Sequence, residues 1–514
     1  MNIKEAKEQI EKAVSIYLAK DDYGSYRIPV EKQRPVFLIG APGIGKTAIM
    51  EQIAEEMGIG LVSYSMTHHT RQSALGLPRI ASRTYGGETF DVSLYTMSEI
   101  IAAIYETMER TGLREGILFL DEINCVSETL GPSMLQFLQY KTFGNHKVPE
   151  GWVIVTAGNP PEYNRSVRDF DVVTLDRLKV MTVEPDFGVW KYYAEQKGLH
   201  QSILTYLEIR REDFYGIETT VDGKNYVTAR GWEDLSEAIT LYEEKGYSVD
   251  EALVGQYIRN PHVVNEFSVY YELYRKYRED YGVMDILSGK ANDALIRRAK
   301  KAVFDERVSL IGLLLEALQP RIRANVRCEK ALKEILPFLR ELKASCLTSE
   351  AESVETTMGG MEESWREAQR NKEMSGTTSH EDRMVYRRKM ALFSGILQPL
   401  RVAGINDNAG AFAFVKEKFD DTVRSMKADT AEILSMLDHA FAFVEAAFGD
   451  GNEMLILVSG LTFNVSSAAF ISGHGCESYY RYNRKFLLKE RNRELYEEVN
   501  QMIGTNSLGQ EEEI

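Results

Sequence analysis

One stretch constrains this chain more than any other: FLIGAPGIGKTAIM, residues 37–50. An apolar run breaks into a glycine-rich turn, then a lysine, a threonine and a helical pattern. PVFLIG (35–40) reads as a buried strand and TAIMEQIAEEMG as the helix after it. Glycines at 40, 43 and 45 allow a tight turn whose N–H groups point inward. Further strand patterns follow at GLVSYSM (60–66), GILFLDE (116–122) and GWVIVTAGN (151–159), with SEIIAAIYETMERTG and GPSMLQFLQY as helices between them. Alternating strands and helices imply an α/β core with a parallel sheet, and ligands collect at the carboxyl ends of its strands.

The chemistry lies at those strand ends. Gly40-Ala41-Pro42-Gly43-Ile44-Gly45-Lys46-Thr47 fits G-x-x-x-x-G-K-[ST] at every defined position. The loop from Gly40 through Pro42, Gly43, Ile44 and Gly45 to Lys46, Thr47 and Ala48 would cradle phosphates, helped by the helix N-terminus. Lys46 would reach the β and γ phosphates, and Thr47 would hold Mg²⁺ through its hydroxyl. Asp121, after four apolar residues, would hold Mg²⁺ as well, usually through water. Glu122 would polarise the attacking water. The bland alternative for this pair is an acidic strand end facing solvent. Asn159, one strand later, would orient the same water; its alternative is a turn residue before Pro160-Pro161.

A glutamate beside the metal-holding aspartate favours hydrolysis over phosphoryl transfer to a small molecule. A guanine-nucleotide switch needs N-K-x-D, and the nearest string, RNKE (370–373), lacks the aspartate. ATP and Mg²⁺ are the expected ligands.

The chain has 514 residues, 44% hydrophobic and 27% charged, enough for two or three globular domains. Its formal net charge of -16 disfavours a nucleic-acid surface, which is basic. MNIKEAKEQIEKAVSIYL reads as an amphipathic helix rather than a signal peptide. MLILVSGLTFNVSSAAFI (454–471) carries Ser459, Asn464, Ser466 and Ser467 and reads as buried core, not a membrane span. Cys125, Cys328, Cys346 and Cys476 form no C-x-x-C pair and suit free thiols in a reducing cytoplasm. The pairs His68-His69 and His474/Cys476 lack the spacing of a metal site.

LPRIASRTYGGETFDVSLY (77–95) carries a glycine turn between two extended arms, a hairpin inserted after the second strand. The expected domains are a nucleotide core over 1–186, a small helical lid over 187–246 and a mainly helical region over 247–514. A polar stretch near 345–383 reads as a long loop or linker with one helix around Trp365, and 504–514 as a frayed acidic tail. YYRYNRKFLLKERNRELYEE (479–498) reads as an amphipathic surface helix.

The order of phosphate loop, Asp-Glu strand, strand-end asparagine, LDRL and TARGWEDLS resembles the AAA+ ATPases. The inserted hairpin, DEIN and AGNPPEYN make it similar to their MoxR-like branch. The resemblance covers about residues 30 to 245. It implies that Arg177 in LDRL is an arginine finger acting on a neighbouring subunit's site, with Arg165 and Arg168 as competing candidates. A pair with Asp176 is the bland alternative for Arg177. The resemblance also implies that Arg230 in TARGW senses the γ phosphate from the lid. Ala229 stands where relatives often carry proline.

The implied protein is a ring, usually a hexamer. It would hydrolyse ATP to remodel a protein client, with a von Willebrand factor A-domain protein as a separate partner chain. Two other readings are a nucleic-acid-dependent motor and a nucleotide-gated scaffold that does not turn over.

Overall fold

The computed structural model describes residues 1–514 except 70, 164–166, 168–169, 221–222, 346–352, 375–378, 406 and 488–514. Arg165, Arg168, Cys346 and the acidic tail therefore lie outside the described residues. The chain divides into two compact units. The first holds Met1–Trp190, Phe214–Asp234 and Tyr257–Arg259; the second holds Lys191–Asp213, Leu235–Gln256 and Asn260 onward.

The first unit is built on a five-stranded parallel sheet. The chain runs through helix α1 (Ile3–Tyr17), β1 (Val36–Gly40), α2 (Lys46–Met57) and β2 (Gly60–Ser65). A short helix α3 (Arg71–Leu75), hairpin strands β3 (Pro78–Tyr85) and β4 (Glu88–Tyr95) and helix α4 (Glu99–Thr111) come next. Then follow β5 (Gly116–Asp121), helix α5 (Gly131–Tyr140), the two-residue strands β6 (Thr142–Phe143) and β7 (His146–Lys147), and β8 (Trp152–Gly158). The edge strand β9 (Lys179–Val183) completes the sheet in the order β2-β5-β8-β1-β9. The sequence pattern marked four of these five strands. β9, at the sheet edge, was not among them: it is five residues long, KVMTV, with only Val183 buried.

Period-two alternation separates the two faces of the sheet. Leu118, Leu120, Phe37 and Ile154 join a core closed by Ile100, Ile101 and Ile104 of α4 and Met134 and Phe137 of α5. Ile117, Phe119, Leu38, Val153 and Val155 face the opposite way, against Ile49, Met50 and Ile53 of α2 and Ile10 and Val14 of α1. Helix α1 starts at a capping box between Asn2 and Glu5 and buries the apolar face read from its sequence.

The hairpin of 77–95 forms as expected. β3 and β4 pair antiparallel in full register, joined by Gly86 and Gly87, both at positive φ. Two such residues make the tight turn whose twist suits a two-residue hairpin loop. Most of its side chains are exposed, Ile80 at 75%.

Residues 187–246 do not form a unit of their own. Helices do form at Phe187–Lys197, Gln201–Ile209 and Ala229–Lys245, but an unforeseen antiparallel hairpin, β10 (Gly216–Thr220) and β11 (Gly223–Val227), lies between the last two. Phe187, Trp190 and Phe214 pack ring to ring, and Trp232 Nε1 donates to the Phe214 carbonyl. These contacts keep 214–234 with the first unit.

The second unit is helical and is organised by a 42-residue helix, Phe304–Ser345. The expected linker near 345–383 is corrected in part: the helix expected around Trp365 forms and runs over Val354–Met374, and His380–Ala403 is another. Val354 and Met358 are buried, and the Trp365 ring meets Phe393 at 4.9 Å and Phe338 at 5.8 Å. Those few apolar residues at helical spacing outweigh a polar composition, because one buried stripe is enough to hold a helix. The apolar stretch at 454–471 is two helices, Asn452–Phe463 and Val465–His474, bent by 90° at Asn464 and contributing Leu457, Leu461 and Phe470 to the core. Among the described residues, no single helix is long and apolar enough to cross a membrane. Residues 477–487 are helical, with Tyr479 and Tyr482 buried; 488–498 lie outside the described residues.

Candidate active site

The carboxyl ends of β1, β2, β5 and β8 bring the motif residues together. β1 ends at Gly40 and opens into the loop, where Gly43 and Gly45 take positive φ of 75° and 95°. A left-handed Gly45 then caps α2. The glycine at 43 is also required by space: a Cβ there would stand 3.1 Å from Thr228 Cβ and 3.5 Å from Arg230 Cβ. Arg230, in the first turn of its helix, therefore lies directly over the loop, and its own side chain is exposed. Tyr215 adds a second contact, donating its hydroxyl to the Pro42 carbonyl at 2.9 Å.

Lys46 is 8% exposed and donates to the Gly40 carbonyl at 2.7 Å, the Ala41 carbonyl at 2.9 Å and Asn159 Oδ1 at 2.8 Å. Burial pulls its pKa down to about 8; Asp121 and Glu122 oppose the shift and Arg230 adds to it. The ammonium is thus held by loop carbonyls, which are weak partners that phosphate oxygens outcompete.

Thr47 Oγ1 donates to Asp121 Oδ2 at 3.1 Å. A hydroxyl and a carboxylate so close are hard oxygen ligands of the kind magnesium takes alongside waters and phosphates. The donor set therefore fits the ion.

Glu122 is one of two non-glycine residues at positive φ, 54°, among the described residues. Such backbone strain is uncommon outside functional sites. Its N–H donates to Asp121 Oδ1 at 2.8 Å, and its Oε2 accepts from Ser65 Oγ at 2.8 Å and Thr67 Oγ1 at 3.1 Å. β2 makes this possible: Ser65 pairs in register with Asp121, so the next residue of β5 turns back over the end of β2.

Asn159 is fixed from behind. Asn124 Nδ2 donates to its carbonyl at 2.8 Å, while a Cβ on Gly158 would meet Asn124 Oδ1 at 2.4 Å. Ser65, Thr67, Asn124, Tyr215 and Thr228 escaped the sequence reading. The only hint of Asn124 was its place in DEIN, and hydroxyls at a strand end carry no spacing signal.

Arg177 is not brought into this cluster. It is exposed, two residues beyond the four-residue helix Val172–Leu175, and makes no ion pair among the described residues, so the pair with Asp176 does not form. Its charge and hydrogen bonds from Thr174 hold the Asp171 carboxyl low, the Thr174 bonds being the larger cause. His69 Nδ1 meets Ser73 Oγ at 3.2 Å and His474 Nε2 meets Glu329 at 3.3 Å; neither belongs to a metal cluster among the described residues. Among the described residues, Cys125, Cys328 and Cys476 are in no disulfide.

No curated protein matches this chain. Residues 36–172 match the model of the ATPase family associated with various cellular activities (AAA). This segment carries Lys46, Thr47, Asp121, Glu122 and Asn159 around one parallel sheet, and it is similar to the AAA domain, which binds ATP and usually Mg²⁺ in the AAA+ ATPases.

Proposed function

We propose that the chain is an AAA+ motor of the MoxR-like kind, hydrolysing ATP to ADP and phosphate and remodelling a protein client from within a ring. The observation that carries this reading is the convergence of Lys46 and Thr47, opening α2, with Asp121, Glu122 and Asn159 at adjacent strand ends, Lys46 bonding Asn159 and Thr47 bonding Asp121.

In this reading Lys46 leaves the Gly40 and Ala41 carbonyls for the β and γ phosphates, and the N–H groups of Gly43 to Ala48 line the rest of the chain of phosphates. Thr47 and Asp121 would hold magnesium, which supplies positive charge against the phosphate oxygens when bound. Glu122 accepts a proton from the attacking water, and Asn159 orients that water from the neighbouring strand end. Arg230 reports the γ phosphate from above Gly43, through the helix it begins.

Arg177 completes the site of the next subunit. Two features support a subunit contact there. Arg177 is free of ion pairs among the described residues, and Val172 and Val173 stand 82% and 58% exposed beside it. The MoxR-like assignment, the hexamer and a von Willebrand factor A-domain partner rest on the resemblance. The hairpin of β3 and β4, in the place the resemblance expects, supports the first. A reducing, cytoplasmic setting belongs to the same reading and agrees with Cys125, Cys328 and Cys476 being in no disulfide among the described residues.

Glu122→Gln tests the core of the proposal. The variant should bind ATP as the parent does and lose hydrolysis by about 10²- to 10⁴-fold, the worth of a positioned general base. Phosphate release at the parental rate would remove Glu122 from the mechanism. Proteins that co-purify with this ATP-trapped variant would name the client.

A further inference from the structure

The second unit holds a half-buried ionic cluster that the hydrolytic site does not use. His200 caps the helix Gln201–Ile209; its Nδ1 lies 2.7 Å from Ser202 Oγ and 3.3 Å from the Ser202 N–H nitrogen. The residue is 8% exposed, and its Nε2 is buried without a hydrogen-bond partner. That nitrogen faces Glu243 Oε2 at 3.6 Å, beyond hydrogen-bond range. Glu243 comes from the helix Ala229–Lys245, and Glu316 from the helix Phe304–Ser345. His200 Nε2 and one oxygen of each carboxylate lie within 4.8 Å of one another.

The surroundings fix both carboxylates. Tyr271 donates to Glu243 Oε1 at 2.5 Å and Tyr274 to Glu316 Oε2 at 2.8 Å. Arg278 reaches both acids, with Nη1 3.6 Å from Glu243 Oε2 and Nη2 bonded to Glu316 Oε1. Burial pushes both tyrosine hydroxyls up, so they remain donors. For Glu243, burial acts upward, but His200, Tyr271 and Arg278 together outweigh it and bring its carboxyl down to about 2. The two carboxylates share one guanidinium, and His200 Nε2 faces them from a third segment.

We propose that His200, Glu243 and Glu316 bind a divalent transition-metal ion of the zinc class, with Arg278 as a fixed outer charge. One imidazole nitrogen and two carboxylate oxygens from separate helices form a ligand set of the kind zinc takes. Ligation would place the imidazole proton on Nδ1, where Ser202 Oγ stands 2.7 Å away to accept it, in place of the bond that Nδ1 accepts from the Ser202 N–H. The tyrosine hydroxyls orient the acids as outer partners do in metal sites. The ion ties three helices of the second unit, so it stabilises that unit in proportion to its binding.

The test uses the full chain, stripped with chelator and titrated with Zn²⁺ in excess Mg²⁺, which saturates Thr47 and Asp121. One equivalent of Zn²⁺ should bind and raise the melting temperature. His200→Ala should weaken binding by about 100-fold or more, at least the cost of losing an outer partner, and abolish the shift. Glu316→Gln, which keeps the side chain's size, should do the same and covers the case in which His200→Ala does not fold. Co²⁺ in the unaltered protein should give d–d bands without thiolate charge transfer. No stoichiometric Zn²⁺ binding, undiminished binding in both variants, or a thiolate spectrum would overturn the site. So would stabilisation by acid alone with none from Zn²⁺, which would make His200 a proton acceptor.

Discussion

Ser65 Oγ holds Glu122 Oε2 at 2.8 Å, from the end of the neighbouring strand. Thr67 reaches the same oxygen at 3.1 Å. Two hydroxyls occupy the carboxylate oxygen that the attacking water would use in the proposed reading. They also tether a side chain whose backbone is already at positive φ. Removing both, as Ser65→Ala with Thr67→Val, should therefore free Glu122 and raise basal ATP turnover several-fold, with ATP affinity unchanged. Steady-state phosphate release beside equilibrium nucleotide binding reads the two effects separately. Unchanged turnover would mean that the tether plays no part in the rate.

Lys46 gives a pH signature. Burial lowers its pKa to about 8 in the free protein, so its ammonium is lost as pH rises through that value. Phosphates favour the charged form and raise the pKa again, so binding takes up a proton between the free and bound values. ATP affinity should fall as pH climbs from 7 to 9, with proton uptake visible by calorimetry in buffers of different ionisation heat. Lys46→Met should bind weakly and show no such slope. A pH-independent affinity in the parent protein would contradict the lysine's role.

Arg177 is tested by mixing. Arg177→Ala subunits keep Glu122, and Glu122→Gln subunits keep Arg177. If the arginine acts across a subunit boundary, mixed assemblies regain part of the ATPase activity that each variant lacks alone. Mixtures no more active than their components would place the finger elsewhere, or within the subunit.

Gly158→Ala probes the support behind Asn159. The new methyl group would sit 2.4 Å from Asn124 Oδ1, with the buried amide on one side and the sheet on the other. Overpacking of this kind costs about 1–3 kcal/mol. Denaturant unfolding should show that loss, and turnover should drop as Asn124 releases the Asn159 carbonyl. Native stability with full activity would show that the amide shifts freely.

Much of the first unit could be read from local pattern. β1, β5 and β8 are buried on both faces, so each appears as an apolar run, and a glycine loop before Lys46-Thr47 has one main use. β9 was missed because it is short and lies at the sheet edge, and β10 and β11 because a surface hairpin needs few apolar residues. The extent of the helix Val354–Met374, expected only around Trp365, was hidden for a related reason. Its polar face fills the composition, while Val354, Met358 and Trp365 do the packing.

The sequence by itself determined that Lys46, Thr47, Asp121, Glu122 and Asn159 end strands or open a helix, because those positions are set by short-range periodicity. Tertiary structure alone decided what stands next to them. Sheet order puts β2 beside β5, and only that adjacency gives Glu122 its hydroxyl partners Ser65 and Thr67. It also brought Thr228 and Arg230 over Gly43, nearly two hundred residues away in sequence, and gathered His200, Glu243 and Glu316 from three helices. Contacts between distant segments depend on the packing of whole faces, and no local spacing encodes them.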